Sequence, residues 1–348
     1  MRIGIVVNTL GGGGAERQAA HWAEVCSTLG HATQVLVLGP GGSDYALSPH
    51  ICVEHFGKSG RLDLMRLVRR LRAAASDLDL LIAFQAYPMF CCALARSGVP
   101  ILLRTGQDPR YWQDTTGVPR PLLRAAFARA RIACAPSRGL VECHRELGIL
   151  PGGPWMAVPN IVDEQAFQSG GPRHGALFVG RLVPVKDPLL AVEAALTAQV
   201  ELTVLGDGEL RGAIEERASE APPSTPIRLL SFTRRPWEVY PRHRVLLVTS
   251  RYEAFSAVII ESLAAGTPVV SVDCDFGPRE ILAGATYSEL VPSSREALAG
   301  ALTRVLGRPH GEAEAAECRA IAARYRVASV SPLIDEAITR TVSGVGAG

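Results

Sequence analysis

Residues 249–270 read TSRYEAFSAVIIESLAAGTPVV, and this stretch indicates the fold class. An apolar, β-branched pattern comes before it and another forms its end. Between the two, Ser256 is a favourable N-cap, and Gly266 with Pro268 is a favourable helix stop, which predicts a helix over residues 257–265. A strand, a helix and a second strand in this order form the βαβ unit of a parallel sheet.

The same alternation of short apolar strands and helical patterns runs outward from this stretch in both directions. A first series of strands is predicted at Ile3–Asn8, Thr33–Leu38, Leu78–Phe84, Val99–Arg104, Ile132–Ala135 and Met156–Val158. A second series is predicted at Gly175–Val179, Val200–Leu205, Ile227–Phe232, Val245–Val248 and Pro268–Val272. Near-continuous apolar strands separated by helices indicate parallel sheets covered on both faces, so we expect two doubly wound, Rossmann-like α/β domains.

A Gly/Pro/Ser stretch, Phe167–Gly175, separates the two series and is typical of a domain linker. We therefore expect an N-terminal domain over residues 1–168 and a C-terminal domain over residues 169–325. The sequence leaves open whether the tail, residues 326–348, packs back on the first domain.

Composition narrows the class of protein. The chain has 348 residues, 47% of them hydrophobic, a mean hydropathy of +0.16 and a formal net charge of +2. This excludes a disordered chain and argues against a general nucleic-acid binder. The 8 cysteines show no zinc-ligand spacing, which favours buried free thiols. Because the sequence enters a strand at Arg2 with no leader pattern before it, we expect a cytoplasmic protein.

Two segments carry the residue types that bind phosphate. Gly11–Gly14 follow the first strand and open a helix, whose N-terminus favours an anion, although no acidic residue ends the second strand as a dinucleotide site requires. Arg181 and Lys186 follow the first strand of the second series and lead into a helix that starts at Pro188. Only Lys58 and Lys186 are lysines in this arginine-rich chain, and a guanidinium beside an ammonium suits a diphosphate.

Two carboxylates lie at the start of the helix predicted over residues 257–265. Glu253 lies in the loop before the helix and Glu261 lies one turn inside it. Carboxylates accept hydrogen bonds from hydroxyl groups, and the free amides of a helix start bind a ligand's oxygens. The pair therefore indicates a polyhydroxylated ligand such as a sugar or a ribose, with capping or salt bridging as the alternative role of each acid.

Taken together, these segments resemble a known enzyme family. The motifs are Gly13–Arg17, Pro159–Asp163, Val179–Leu182 with Lys186–Asp187, Gly206–Gly208, the acids Glu253 and Glu261, and Ser271–Leu282. The set is similar to retaining glycosyltransferase family 4, the glycosyl transferases group 1. That family has the GT-B fold, in which two Rossmann-like domains face each other across a cleft.

The resemblance implies a role for each matching residue. Arg181 and Lys186 would hold the diphosphate of a nucleotide sugar and, with Glu253 facing the donor sugar, form the catalytic set. Glu261 would bind the ribose hydroxyls. The other implied donor-binding residues are Gly13, Gly14, Phe232, Thr233, Ala254, Phe255, Ser256 and Ala257.

The sequence also departs from the family. Many members carry a histidine near the transferred sugar, and segment 103–112 has none. Arg17, Arg104 and Gln107 are the candidates for that acceptor side. The acid loop has Ala254 and Ser256 where glycines are commoner, so we expect less space around the donor sugar and an added hydroxyl group.

The function implied is transfer of a hexosyl or N-acetylhexosaminyl group from a nucleotide-diphosphate sugar, UDP-linked in most members, to a hydroxyl of a glycan or lipid-linked saccharide. Tailoring of a small natural product such as an aminoglycoside antibiotic is the alternative, and a non-enzymatic sugar- or nucleotide-binding protein is the alternative from another class. The nucleotide sugar is a co-substrate, and we expect no cofactor. Asp273-Cys-Asp275 imitates a metal motif, but we expect it to be structural and the reaction to need no metal.

Membrane contact is a further question that the sequence raises. Residues 61–72 form a basic amphipathic pattern, and residues 120–138 add more arginines. Such helices lie on anionic lipid at the inner face of a membrane, or else bury their apolar stripe in the protein core. We prefer the second alternative, a surface helix with its apolar stripe in the core.

Overall fold

The computed structural model describes residues 1–39, 41–42, 45–57, 63–111, 116–149, 151–168, 170–233 and 235–344. The chain forms two compact units. The first unit comprises Met1–Ile161 together with Val327–Gly348, and the second comprises Val162–Arg326. Lys58 and Arg61, the latter the first residue of the basic amphipathic pattern, lie outside the described ranges.

The strands and helices alternate along most of the chain. The strands are β1 (Arg2–Val7), β2 (Ala32–Val37), β3 (Cys52–His55), β4 (Leu80–Phe84), β5 (Ile101–Arg104), β6 (Ile132–Ala135), β7 (Trp155–Ala157), β8 (His174–Val179), β9 (Leu202–Leu205), β10 (Ile227–Leu230), β11 (His243–Val248), β12 (Tyr252–Glu253), β13 (Val269–Val272), β14 (Asp275–Phe276) and β15 (Glu289–Val291). The helices are α1 (Gly14–Thr28), α2 (Leu64–Ala74), α3 (Ala86–Ala95), α4 (Arg120–Phe127), α5 (Arg138–Glu146), α6 (Pro188–Ala198), α7 (Arg211–Ser219), α8 (Ala257–Ala264), α9 (Gly277–Ile281), α10 (Arg295–Gly307), α11 (Glu312–Ala323) and α12 (Val327–Ser343).

Each unit is built on one parallel sheet. The strand order of the first sheet is β3-β2-β1-β4-β5-β6-β7, and that of the second is β10-β9-β8-β11-β13-β15. A separate parallel pair, β12 with β14, lies in the second unit. In both sheets the order reverses beside the first strand, as in doubly wound folds. The prediction of two doubly wound α/β domains is confirmed.

The last helix, α12, completes the core of the first unit. Its buried residues Val330, Ile334 and Ile338 belong to the same apolar cluster as Trp22, whose ring meets Phe84 edge-on at 5.6 Å between centroids. The tail of the chain thus returns to the first unit after the second unit is complete.

The second sheet buries an apolar cluster on each face. Phe178 and Leu247 belong to one cluster, and their sequence neighbours Leu177 and Leu246 belong to the other. This alternation is what two-sided burial of a parallel sheet requires. Helix α8 packs on the second of these faces through residues such as Ile259.

The division between the units falls earlier than the linker-like stretch at residues 167–175. Val162 and Ala166 are buried in the second unit's apolar cluster with Tyr240, and the Val162 amide donates to the Tyr325 carbonyl at 2.9 Å. These contacts commit the chain to the second unit directly after Ile161. The Gly/Pro stretch is therefore a loop within that unit.

Two expectations about helices have clear outcomes. Ser256 is the N-cap residue of α8, as predicted, but its φ is +83° and its side chain forms no capping hydrogen bond with the described residues. In α2, the apolar stripe Leu67, Val68 and Leu71 is buried in the first unit. No helix within the described ranges is long and apolar enough to cross a membrane.

Candidate functional site

The candidate residues of the second unit follow the carboxyl ends of neighbouring strands. Arg181 lies just beyond β8, Gly206 follows β9, and Thr249 follows β11. Because β8, β9 and β11 are parallel neighbours, these segments meet at one edge of the sheet. This is the edge at which ligands of open α/β sheets bind.

A partly buried ion pair lies at this edge. The Lys186 ammonium Nζ is 2.6 Å from Oε1 of Glu253, and the Ser250 hydroxyl donates to the same oxygen at 2.8 Å. Glu253 is only 7% exposed, whereas the Lys186 side chain is 24% exposed. Oε2 of Glu253 has no hydrogen-bond partner among the described residues, so this oxygen remains available to a donor from a ligand.

Hydrogen bonds from Thr249 and Arg251 hold the loop that carries Lys186. The Thr249 hydroxyl donates to the carbonyls of Lys186 at 3.0 Å and Asp187 at 2.8 Å. Asp187 adopts φ +47°, and its carboxylate accepts a bond of 2.9 Å from Nε of Arg251. These contacts fix the backbone at the point where α6 begins at Pro188 and thereby fix the base of the Lys186 side chain.

Arg181 differs from Lys186 in its surroundings. It is exposed, and within the described part of the chain its guanidinium has no ion pair or hydrogen bond. The structure thus presents, after β8, one cation bound to a buried carboxylate and one cation open to solvent.

Glu261 is the second acid of the motif, and it is 3% exposed. Oε2 of Glu261 accepts a hydrogen bond from the hydroxyl of the fully buried Tyr240 at 2.9 Å. Tyr240 was absent from the sequence-based candidates because it lies in an irregular segment between β10 and β11, where no motif marks it. Its position twenty-one residues before Glu261 gives no periodic signal.

The loop from Ala254 to Ala257 is compressed against β14. Strand β12 pairs Glu253 with Phe276, and a Cβ placed on Gly277 would overlap the carbonyl of Phe255. Phe255 is itself buried against Tyr325, edge-on at 5.3 Å between ring centroids. Only glycine fits at position 277, and its lack of a side chain lets the loop of residues 254–257 lie this close to β14.

Ser256 is conformationally strained and its hydroxyl is unsatisfied. Its φ of +83° is rare for a residue with a side chain. Its hydroxyl oxygen Oγ is buried, and no group among the described residues forms a hydrogen bond with it. Both features cost free energy in the unliganded protein, and strain of this kind concentrates at binding sites.

The remaining donor-side candidates occupy two different settings. Phe232 is 61% exposed directly after β10, and Thr233 accepts a bond of 3.1 Å from the Arg235 amide. Gly206 packs against the backbone of Gly180, where a Cβ would overlap the carbonyl, so its role within the described contacts is close packing of two loops. The exposed ring of Phe232 is a surface on which a nucleobase can stack.

The candidates of the first unit lie at the carboxyl edge of its own sheet. Gly13 precedes α1 and its carbonyl accepts a bond of 2.8 Å from the Tyr45 hydroxyl, while Gly14 and Arg17 lie in the first turn. Space is open around Gly14, where an added Cβ meets no atom within 4 Å.

Arg104 and Gln107 are engaged in contacts inside the first unit. The guanidinium of Arg104 is buried and donates to the Thr105 carbonyl at 2.9 Å and to Oδ1 of Asn160 at 2.6 Å. Burial lowers the pKa of Arg104 to about 10. Oε1 of Gln107 accepts a bond of 3.3 Å from the Ala86 amide at the start of α3.

The Asp273-Cys-Asp275 segment has its own partners. Both oxygens of Asp273 accept bonds from the guanidinium of Arg279, at 3.0 and 2.8 Å. Asp275 lies in β14 and Cys274 between them is buried, which raises the pKa of its thiol to about 12. The thiol therefore stays protonated at neutral pH.

Two known sequence families together cover most of the chain. Residues 163–324 match the family described as Glycosyl transferases group 1, and residues 12–166 match Glycosyltransferase Family 4. The first match falls on the unit that carries Arg181, Lys186, Glu253 and Glu261.

Individual relatives show the same likeness. An N-acetylgalactosamine-N,N'-diacetylbacillosaminyl-diphospho-undecaprenol 4-alpha-N-acetylgalactosaminyltransferase of Campylobacter jejuni is 31% identical over 34% of this chain and 33% of its own length. A GDP-mannose-dependent alpha-mannosyltransferase of Mycobacterium tuberculosis is 30% identical over 58% of this chain and 56% of its own. The chain spans less than two thirds of the length of these curated relatives.

A solved structure extends the likeness to the whole fold. Anabaena HepE in complex with UDP superposes with a TM-score of 0.81 at 18% identity, covering 97% of this chain and 100% of that one. With both family matches and the architecture described above, the chain belongs to the group 1 glycosyltransferases of family 4 and has their GT-B fold.

Proposed function

We propose that the protein is a retaining, metal-independent glycosyltransferase. It moves a hexosyl or N-acetylhexosaminyl group from a UDP-linked sugar to a hydroxyl of a glycan or of a lipid-linked saccharide. The observation that carries the proposal is the Lys186–Glu253 ion pair in the segments beyond β8 and β11. Among the described residues, Oε2 of Glu253 has no hydrogen-bond partner, and the exposed Arg181 follows the same strand as Lys186.

The chemistry needs positive charge at the leaving group. The bond between the anomeric carbon and the diphosphate oxygen breaks with both electrons passing to that oxygen. Lys186 and Arg181 stabilise the charge that grows there, and stabilisation that increases in the transition state is what accelerates a reaction. The acceptor hydroxyl bonds to the anomeric carbon from the leaving-group side, and its proton passes to the departing phosphate oxygen.

Glu253 serves the donor sugar in this proposal. One oxygen, Oε1, is occupied by Lys186 and Ser250. The other, Oε2, accepts a hydrogen bond from a hydroxyl of the sugar and thereby orients the ring. The negative charge of this carboxylate also favours the positive character that develops at the anomeric carbon.

The nucleoside binds on the neighbouring elements. Glu261, oriented by Tyr240, accepts the ribose hydroxyls, and the exposed ring of Phe232 stacks on the base. HepE in its complex with UDP has the same fold and supports uracil, whereas the mannosyltransferase of M. tuberculosis is named for GDP-mannose. The relative in C. jejuni is named for a diphospho-undecaprenol acceptor and supports a lipid-linked saccharide.

The test is a screen of UDP-, GDP- and dTDP-sugars by thermal shift, by donor hydrolysis and by transfer to lipid-linked and soluble glycan acceptors. We expect UDP-sugars to raise the melting temperature most, and NMR of the product to show the anomeric configuration of the donor. Activity should persist in EDTA. Inverted product, or activity that is lost in chelator and restored by Mg²⁺ or Mn²⁺, would refute the corresponding part of the proposal.

A further inference from the structure

Three neighbouring helices of the first unit expose large apolar side chains to solvent. Helix α3 packs between α2 and α4, and the connections β3–β4, β4–β5 and β5–β6 all step in the same direction along the sheet, which places these helices on one face. Met65 on α2 is 63% exposed, Leu94 on α3 is 42% exposed and Leu122 on α4 is 51% exposed. A single exposed apolar side chain needs no explanation, but one on each of three neighbouring helices that also expose arginines favours a binding surface.

The same helices expose a concentration of arginines. We define the arginine surface as these three apolar residues together with the exposed arginines around them: Arg66, Arg69, Arg72, Arg96, Arg120, Arg124 and Arg129. Helices α2, α3 and α4 contain no aspartate or glutamate. The acids nearest to α2 in sequence, Asp63 and Asp77, lie at its two ends.

These arginines are not neutralised by the protein. Arg120 and Arg124 donate to the carbonyls of Arg110 and Leu147, which carry no charge. Within the described part of the chain, none of the arginines of the surface forms an ion pair with a carboxylate. Arg70, by contrast, turns away from the surface to pair with Glu54.

A pocket lies at one end of the arginine surface. Arg96, Arg129 and Arg131 line it with Ser97 and the backbone of Gly98, and its volume is about 170 Å³. Arg131 donates to carbonyls at the end of α12, whereas the guanidinium groups of Arg96 and Arg129 form no hydrogen bond or ion pair with the described residues. Guanidinium groups in this arrangement suit the phosphate of a lipid headgroup.

We propose that the arginine surface binds the face of an anionic lipid bilayer. The arginines, which form no ion pair with a carboxylate among the described residues, attract the negative headgroups, and Met65, Leu94 and Leu122 enter the boundary between headgroups and acyl chains. The apolar side chains favour a bilayer, because a nucleic acid or another soluble polyanion would use the arginines and leave these three side chains in water. The buried stripe of α2 takes no part. This binding is independent of the sugar-transfer reaction.

The experiment is co-sedimentation of the full chain with vesicles of phosphatidylcholine, with and without phosphatidylglycerol. We expect binding only to vesicles that contain phosphatidylglycerol, and weaker binding as salt is added. The triple variant R66Q/R69Q/R72Q should bind on the order of a hundredfold more weakly. The matched control is R228Q/R295Q/R304Q, which removes the same charge from exposed positions of the second unit and should bind as the parent does.

A second variant separates a bilayer from a soluble polyanion. L94S/L122S should lose most vesicle binding, because it removes the apolar contacts, and should keep any affinity for heparin. The proposal is overturned if the parent binds both kinds of vesicle equally, if the two triple variants lose binding equally, or if L94S/L122S binds vesicles as the parent does. Assays of sugar transfer to a soluble acceptor report on the proposed function separately.

Discussion

Glu253 is held by one of its oxygens and open at the other. Oε1 takes the ammonium of Lys186 and the hydroxyl of Ser250, and the carboxylate is nearly buried. An arrangement of this kind keeps a charge fixed in a site from which water is largely excluded, which strengthens its action on a bound ligand. Ser256, three residues after Glu253, and Tyr240, which donates to Glu261, carry consequences that are measurable without any substrate.

Ser256 should destabilise the unliganded protein. Replacing it with glycine removes the cost of φ +83° and the buried hydroxyl without a partner, and we expect Ser256→Gly to raise the free energy of unfolding by about 1 kcal/mol. Urea unfolding measures this, and Ser256→Ala, which keeps the strained backbone, isolates the share of the hydroxyl. A less stable Ser256→Gly variant would show that the hydroxyl has a partner in solution.

Tyr240 should stabilise the protein through Glu261. Tyr240→Phe removes the 2.9 Å hydrogen bond to a buried carboxylate, and we expect it to lower the free energy of unfolding by about 1–3 kcal/mol. The matched control is Tyr287→Phe, because the hydroxyl of Tyr287 has no hydrogen bond within the described residues. Equal effects of the two substitutions would exclude the proposed support of Glu261.

A histidine buried between α5 and β7 makes the stability of the first unit depend on pH. His144 is buried against Trp155, with 4.3 Å between ring centroids, and desolvation lowers its pKa from 6.5 to about 4. The unfolded chain therefore binds a proton near pH 6.5 that the folded chain does not bind until about pH 4. Stability contributed by the neutral ring is complete above pH 6.5 and is lost as the pH falls from there to about 4.

Urea unfolding between pH 7 and pH 4 tests this dependence. The shift of the His144 pKa corresponds to up to about 3 kcal/mol lost over the interval. His144→Gln should be less stable than the parent at pH 7 and should flatten this part of the profile. A parent and a variant with parallel profiles would show that His144 is not the group responsible.

Several elements could be predicted from the sequence because their signals are local. Pro188 marks the start of α6 and Gly266 the end of α8, and both boundaries agree with the structure within a residue. The resemblance to family 4 implied that Lys186 and Glu253 share one site, and the rule that parallel strands end at one edge agrees with this grouping. That rule does not specify hydrogen bonds, so the contact of Ser250 with Glu253 was not predicted.

Other elements depend on contacts distant in sequence. Strand β3 is absent from the strands predicted from the sequence. It is short and partly exposed, so its apolar signal is weak. Serine is a residue type that favours the N-cap position. In the structure, however, Gly277 lies close to Phe255, and the backbone of Ser256 in the same loop is left-handed. Tyr240 is placed by its packing in the second unit's apolar cluster, which no residue next to it in sequence indicates.

At the scale of the whole molecule, the chain passes from the first unit to the second after Ile161 and returns after Arg326. Helix α12 then supplies core residues of the first unit that the N-terminal segment alone lacks. The linker composition at residues 167–175 is a signal of exposure and not of a boundary between cores.

Removal of α12 should therefore unfold the first unit. Deleting residues 327–348 exposes the apolar cluster around Trp22, and we expect loss of the first unit's cooperative unfolding transition while the second unit keeps its own. Calorimetry and hydrogen exchange measure this. Deletion of residues 345–348 alone is the control. A truncated chain with an intact first transition would contradict the assignment of α12 to that core.

If Lys186 stabilises the leaving diphosphate, its replacement slows sugar transfer itself. The experiment compares kcat for sugar transfer and Kd for UDP-sugar in the parent, in Lys186→Ala and in the surface control Arg228→Gln, with circular dichroism to confirm folding. We predict that Lys186→Ala lowers kcat on the order of a hundredfold or more, whereas the control is unchanged. Near-normal turnover with unchanged donor affinity in Lys186→Ala would contradict the account.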